Sequence, residues 1–156
     1  MIEIDIPGYK TLQLEHLVLD YNGTLACDGQ LIDGVEEMLD ALSTRLQIHV
    51  LTADTFGQVK AALVDTPGQV SILPPGEQDV GKHKYVKELG VEKTVCIGNG
   101  RSDRLMLQES ALGIAVIQTE GAAAPTIQAA DVVALDILDA LELLTNPLRL
   151  VATLRS

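Results

Sequence analysis

Asp20, which ends an apolar run, is the residue whose type and position most clearly point to chemistry. The segment 17–25 reads Leu-Val-Leu-Asp-Tyr-Asn-Gly-Thr-Leu, so a Gly-Thr turn follows the carboxylate almost at once. An apolar run of this length is typical of a buried strand, and open α/β sheets bind their ligands at the carboxyl ends of such strands. The segment therefore predicts a phosphate-handling site at Asp20.

Further polar side chains follow other predicted strands. Thr52 and Asp54 come after the second central strand, Asn99 and Asp103 come after a later one, and Lys82 lies near the start of the helix between. A carboxylate nucleophile, a hydroxyl, a lysine and an acidic loop are the groups that transfer a phosphoryl group through an aspartyl-phosphate. The acids would hold Mg²⁺, which prefers hard oxygen ligands, and the metal and lysine would offset phosphoryl charge.

Alternating strand and helix patterns predict the elements that position these groups, in an α/β fold with a mainly parallel sheet and helices on both faces. The predicted strands are 2–6 and 11–14, which form a short N-terminal β-hairpin around Pro7-Gly8, and 16–20, 48–52, 70–73, 94–98, 113–117 and 132–135. The predicted helices are 33–45 with Asp33 as N-cap, 55–64 with Asp54 as N-cap, 79–89, 102–110, 125–130, 136–144 and one after Pro147.

Composition limits the classes of function. The 156 residues, 47% of them apolar, predict one globular domain over 1–156. A net charge of -11 disfavours nucleic acid and anionic membranes as partners, and 3% aromatic residues leave few platforms for stacking bases. Because no apolar run is long enough to span a bilayer and no basic leader is visible, we expect a cytoplasmic protein.

The order of these motifs resembles the haloacid dehalogenase-like superfamily, which has a Rossmann-like fold. The likeness is closest to the phosphorylation domain of P-type ATPases. That domain carries Asp-Lys-Thr-Gly-Thr-Leu where 20–25 reads Asp-Tyr-Asn-Gly-Thr-Leu, and Leu-Thr-Gly-Asp where 51–54 reads Leu-Thr-Ala-Asp. Its Gly-Asp-Gly-x-Asn-Asp motif has a counterpart in Gly-Asn-Gly-Arg-Ser-Asp at 98–103. The resemblance covers nearly the whole chain.

The resemblance also implies roles for individual residues. Asp20 would be the nucleophile; Thr52, Ala53 and Lys82 would bind the phosphoryl group; and Asp20, the main-chain carbonyl of Asn22, Asn99 and Asp103 would hold Mg²⁺. Lys84 is an alternative to Lys82. From the residues alone, Lys82 is also compatible with a solvated helix face, and Gly98-Asn99-Gly100 with a simple turn.

Two asparagines depart from the family pattern. Many phosphatases of the superfamily have an acid at the position of Asn22, where it protonates the leaving group, and a metal-ligating Asp at that of Asn99. The resemblance therefore implies a weak phosphatase that favours good leaving groups, acting on a small phosphorylated metabolite or acyl phosphate. The interval between Thr24 and Thr52 is too short for a cap or a nucleotide-binding domain, so we expect a cap-less site. The resemblance to uncapped members of the superfamily implies a homo-oligomer.

Two other classes of function stay open. A catalytically decayed site could serve a regulatory or phospho-acceptor binding module, because both asparagines remove acids that turnover would use. An assembly subunit that keeps only the fold is the third alternative, and it predicts no metal dependence of any property.

Overall fold

The computed structural model describes residues 1–53 and 57–156, and its strands and helices are numbered in chain order. The strands are β1 (Ile2–Ile6), β2 (Lys10–Leu14), β3 (His16–Asp20), β4 (Ala26–Cys27), β5 (Gln30–Leu31), β6 (Gln47–Thr52), β7 (Gln69–Ile72), β8 (Thr94–Gly98), β9 (Leu112–Val116) and β10 (Val132–Ala134). The helices are α1 (Val35–Leu42), α2 (Gln58–Ala62), α3 (Gln78–Leu89), α4 (Arg104–Glu109), α5 (Ala124–Ala129), α6 (Ile137–Thr145) and α7 (Pro147–Leu154).

Six parallel strands form the central sheet in the order β10-β9-β8-β3-β6-β7. The middle strand β3 pairs with β6 on one side and with β8 on the other. Its apolar residues Leu17, Val18 and Leu19 are all fully buried, as expected of a strand that is covered on both faces. The predicted α/β fold with a parallel central sheet is confirmed.

Each face of the sheet carries its own hydrophobic core, because successive side chains of a strand point to opposite faces. Leu17 and Leu19 belong to the larger core, to which α1, α6, α7 and the hairpin β1–β2 contribute. Val18 belongs to the smaller core, where it joins Val86 of α3 and Met106 of α4. Helices therefore cover both faces of the sheet, as predicted.

Two antiparallel hairpins lie outside the central sheet. The N-terminal pair β1–β2 matches the predicted hairpin, with Ile2 opposite Leu14. The short pair β4–β5 directly follows the Gly-Thr turn, and α1, β6 and their connections make up the rest of the segment up to Thr52. No helix in the described ranges is both long and apolar enough to cross a bilayer.

The local predictions that fail concern helix ends. Asp33 is not the N-cap of α1: Gly34 takes that position in a left-handed conformation with φ 92°, and no side chain caps the helix. Glycine adopts this conformation without the Cβ strain that an aspartate would incur. The described part of the second helix, 58–62, is shorter than predicted, and the expected N-cap Asp54 and start at Thr55 lie outside the described residues.

Candidate active site

The predicted chemical groups meet at the carboxyl edge of the central sheet. Asp20 is the last residue of β3, Thr52 is the last residue of β6, and Asn99 follows β8. The register places Asp20 beside Leu51 and Leu19 beside Ile97, so these strands end level with one another. Parallel pairing therefore brings together residues that are far apart in the chain.

A buried lysine joins two carboxylates at this edge. Lys82 Nζ lies 2.8 Å from Asp20 Oδ1 and 2.7 Å from Asp103 Oδ1, and it also donates to Ser102 Oγ at 3.2 Å. Lys82 is only 3% exposed and Asp103 is fully buried. The three residues form a charge-assisted cluster, called here the Asp-Lys-Asp cluster, that links β3, α3 and the loop after β8.

The helix geometry of α3 explains why Lys82 rather than Lys84 reaches this cluster. Lys82 and Val86 are the buried residues of α3, and positions four apart lie on one face of a helix. Lys84 is exposed. The geometry supports Lys82 for the phosphate-binding role, which stays a prediction.

Asp103 also shapes the loop that follows β8. Its Oδ2 accepts hydrogen bonds from the main-chain N–H of Asn99 at 3.1 Å and of Gly100 at 2.9 Å. A Cβ built on Gly98 would lie 2.5 Å from the Asp103 carboxyl group, so only glycine allows this approach. Both oxygens of Asp103 are therefore engaged, one by Lys82 and the other by the loop.

A threonine that sequence reasoning gave no role connects Asp20 to Asn99. The fully buried Thr24 hydroxyl lies 3.2 Å from Asp20 Oδ2 and 3.1 Å from Asn99 Oδ1. A hydroxyl carries one proton, so it donates to only one of these oxygens at a time. The Asn99 amide also donates from Nδ2 to the main-chain oxygen of Gly121 at 3.0 Å, a bond that an aspartate could not make. The position is therefore matched to asparagine.

The electrostatics of the cluster favour a cation. Burial, and to a lesser extent the charge on Asp103, raises the pKa of Asp20 to about 7, although Lys82 and the Thr24 hydroxyl counteract the increase. Burial alone would lower the pKa of Lys82, but the two carboxylates raise it above the ordinary value for lysine. With both acids ionised, the cluster holds two negative charges and one positive charge. One negative charge is therefore uncompensated within it.

The donor set fits a hard divalent cation. Asp20 Oδ2 and Asn99 Oδ1 are oxygen atoms that converge on the Thr24 hydroxyl, and carboxylate and amide oxygens are ligands that Mg²⁺ accepts. Asn22, whose main-chain carbonyl is a predicted ligand, lies in the same turn. Asp103 contributes negative charge, but its two carboxylate oxygens already accept hydrogen bonds from Lys82 and from the loop after β8. Its role as a metal ligand stays a prediction.

The other predicted residues differ in their exposure. Thr52 is 2% exposed, whereas Ala53 and the side chain of Asn22 are exposed to solvent. Sequence reasoning missed Ser102 and Thr24. Thr24 had a usable signal, because it stands four residues after Asp20 in the Gly-Thr turn.

An open pocket of about 380 Å³ adjoins the Asp-Lys-Asp cluster. It is lined by the segment 76–79, which leads into α3, and by Arg101 and Ser102 of the loop after β8. Ser102 both lines the pocket and accepts a hydrogen bond from Lys82 Nζ, so it connects the pocket to the cluster. A molecule in this pocket would contact Ser102, a hydrogen-bond partner of Lys82.

Comparison with known proteins identifies relatives of both sequence and fold. The chain matches no family model. It is 46% identical over 84 residues to the uncharacterized protein MJ0073 of Methanocaldococcus jannaschii, a match that covers 51% of this chain and 90% of that protein.

Two solved structures share the fold. The 3-deoxy-D-manno-octulosonate 8-phosphate phosphatase of Moraxella catarrhalis, solved with magnesium and phosphate ions and a KDO molecule, aligns with a TM-score of 0.67 and 19% identity over 90% of this chain and 92% of that chain. The haloacid dehalogenase-like family protein SP0104 of Streptococcus pneumoniae aligns with a TM-score of 0.60 and 13% identity over 83% of this chain and 97% of that chain. The chain therefore belongs to the same family as MJ0073 and has the fold of the haloacid dehalogenase-like superfamily.

Proposed function

We propose that this chain is a Mg²⁺-dependent phosphohydrolase that acts through an aspartyl-phosphate on Asp20. The observation that carries the proposal is the buried contact of Asp20 with Lys82 and Thr24 at the carboxyl end of the central strand. The names of two structural neighbours support it. One is the 3-deoxy-D-manno-octulosonate 8-phosphate phosphatase solved with magnesium, and the other is the cobalt-bound deoxy-D-mannose-octulosonate 8-phosphate phosphatase of Haemophilus influenzae.

The reaction would proceed in two steps. A carboxylate oxygen of Asp20 attacks phosphorus, the bond from phosphorus to the leaving group breaks, and an acyl phosphate forms on Asp20. Water then attacks that phosphorus, which releases inorganic phosphate and regenerates the carboxylate. Mg²⁺, when bound, would offset negative charge on the phosphoryl oxygens and favour the ionised form of Asp20.

The residues of the chain would position and neutralise the phosphoryl group. Lys82, held by Asp103, places a fixed positive charge beside the attacking carboxylate. Thr24 orients that carboxylate through its hydroxyl, and Thr52 at the end of β6 lies on the same edge. The leaving group would occupy the pocket lined by Arg101 and Ser102.

Asn22 limits the substrates that such a site could use. Its amide cannot donate a proton to a departing oxygen, and its side chain is exposed beside the Asp20 turn. General acid catalysis typically contributes about 10²–10⁴-fold to rate. The substrate is therefore a small phosphorylated metabolite with a good leaving group, such as an acyl or aryl phosphate, and alkyl phosphates react poorly.

A phospho-acceptor module is the second candidate. The observation that favours it is the fit of Asn99 to its surroundings, because its amide satisfies both Thr24 and Gly121. A site adapted to asparagine here has one carboxylate fewer for the metal, and it would slow both formation and hydrolysis of the aspartyl-phosphate. Such a protein would hold the phosphoryl group as a signal.

Phosphate release would test the proposal directly. Acetyl phosphate and p-nitrophenyl phosphate are incubated with the wild type, with Asp20→Asn and with Asp40→Asn, each with Mg²⁺ and with EDTA. Asp40 is an exposed aspartate in α1, so its variant controls for loss of a surface charge. The proposal expects release that needs both Mg²⁺ and Asp20 and that Asp40→Asn retains.

Mass spectrometry would separate the two candidates. A persistent gain of one phosphoryl group that disappears in Asp20→Asn, without sustained phosphate release, would favour the phospho-acceptor. Equal release by the wild type and Asp20→Asn would refute the proposed phosphohydrolase.

A further inference from the structure

We infer that Gln118 is a positioning residue for Asp20, an inference that rests on the proposed function. Gln118 lies in the loop after β9, far along the chain from the Gly-Thr turn. Its Nε2 donates to the main-chain oxygen of Gly23 at 3.1 Å and to that of Thr24 at 2.9 Å. Its Oε1 accepts from the main-chain N–H of Ile137 at 2.8 Å.

The contacts of this amide are complete and directional. Both N–H groups of Nε2 face carbonyl oxygens and Oε1 faces an N–H. These partners determine the orientation of the side-chain amide. The half-buried Gln118 therefore joins the turn after β3 to the first residue of α6. In the described ranges, the turn receives no other hydrogen bond from a side chain of the loop after β9.

The link reaches the reacting carboxylate through one residue. The main chain of Thr24 is held by Gln118, and the Thr24 hydroxyl contacts Asp20 Oδ2. The same loop also holds Asn99, because Gly121 accepts from the Asn99 amide. The loop after β9 therefore holds Asn99 directly, through Gly121, and holds Asp20 indirectly, through Gln118 and Thr24.

Gln118 is not among the residues that line the pocket beside Arg101 and Ser102. We therefore expect its loss to alter the placement of Asp20 without changing substrate binding. A misplacement of about 1 Å can reduce a rate by about 10²-fold, so a decrease in kcat of roughly 10- to 100-fold is the expected scale.

Two substitutions separate the contacts to the turn from the contact to α6. Gln118→Glu keeps an acceptor for Ile137 but sets a carboxylate against the carbonyl oxygens of Gly23 and Thr24. Gln118→Met removes all three hydrogen bonds at similar length. The matched control is Gln108→Met, at an exposed glutamine of α4.

Steady-state kinetics with acetyl phosphate and Mg²⁺ provides the first measurement. Both Gln118 variants are expected to lose kcat on the scale given above, with KM within about twofold of the wild type and with Gln108→Met unchanged. An active wild type whose Gln118 variants retain kcat would overturn the inference. A loss of kcat that only accompanies global unfolding, seen as exchange increasing throughout the chain, would also overturn it.

Amide hydrogen exchange gives a measurement that does not depend on activity. The amides of residues 23–26 donate hydrogen bonds within the turn, so exchange there reports its order. Exchange should increase severalfold in this segment in both Gln118 variants. If the wild type proves inactive, the proposed function fails, but faster exchange confined to the turn would still support Gln118 as its anchor. Unchanged exchange would refute the anchor as well.

Discussion

Replacing Lys82 with methionine tests the Asp-Lys-Asp cluster most directly. Methionine has a similar length and no charge, so Lys82→Met fills the same space while removing the only positive charge of the cluster. Asp20 and Asp103 would then face each other across a buried gap without a cation. An unpaired buried charge is costly because protein replaces the water that would otherwise solvate it.

The magnitude follows from the burial of all three groups. Removing one partner of a buried ion pair typically costs about 3–5 kcal/mol of the free energy of unfolding. For a chain of this size, 1 kcal/mol lowers the melting temperature by roughly 2–4 °C. We therefore expect Lys82→Met to melt roughly 6–20 °C below the wild type at neutral pH in EDTA.

Lys84→Met is the matched control, because Lys84 belongs to the same helix but is exposed. Surface substitutions of this kind usually change stability by less than about 0.5 kcal/mol. The double variant Lys82→Met with Asp20→Asn removes one of the two buried carboxyl groups left without a cation, so it should recover part of the loss. Low pH should shrink the loss as well, since protonation neutralises Asp20.

Thermal unfolding followed by circular dichroism would measure the melting temperatures of these three variants and the wild type. Equal melting temperatures for Lys82→Met and Lys84→Met would refute the buried cluster. A double variant less stable than Lys82→Met would contradict the claim that two buried carboxyl groups without a cation cause the loss.

Three further predictions concern the acids and asparagines of the site. Asn22→Asp supplies a general acid and should increase alkyl phosphate turnover by roughly 10²-fold; a folded variant without any gain in kcat would contradict our explanation of the leaving-group preference. Asn99→Asp adds a carboxylate beside Asp20 and loses the bond to Gly121, so it should lower the melting temperature in EDTA yet bind Mg²⁺ more tightly by calorimetry. Weaker Mg²⁺ binding by this variant would argue against Asn99 as a ligand. In EDTA, Asp20 has a pKa of about 7 in the folded protein and ionises near 3.8 in the unfolded chain. The free energy of unfolding of the wild type, relative to Asp20→Asn, should therefore fall as pH increases from about 4 to about 7. A difference that stays constant over this range would refute the raised pKa.

Sequence patterns predicted the sheet well because its signals are local. The run at 17–19 is apolar without alternation, which is what a strand covered on both faces requires, and these residues are fully buried. Helix ends were predicted less well. Asp33 looked like a cap because aspartate commonly occupies that position, but the chain turns into α1 through the left-handed Gly34.

The site was predictable only in part, because some of its contacts depend on the packed fold. Asp20 and the loop at 98–103 follow strands, so their meeting at one edge could be inferred from the order of elements. The choice between Lys82 and Lys84 required the orientation of α3, whose sequence has no strong apolar stripe. Gln118 left no signal at all, because its partners are main-chain atoms that any sequence would supply.

The central place of β3 has a consequence for how the molecule folds. His16 at its start pairs with Gln47 on one side and with Thr94 on the other, so the strand gains its second neighbour only when a distant part of the chain arrives. Such long-range pairing raises contact order, and loop closure must be completed before the contacts stabilise it. During synthesis, β3 would therefore leave the ribosome before β8, and one flank of the strand that carries Asp20 would stay unpaired until β8 is made.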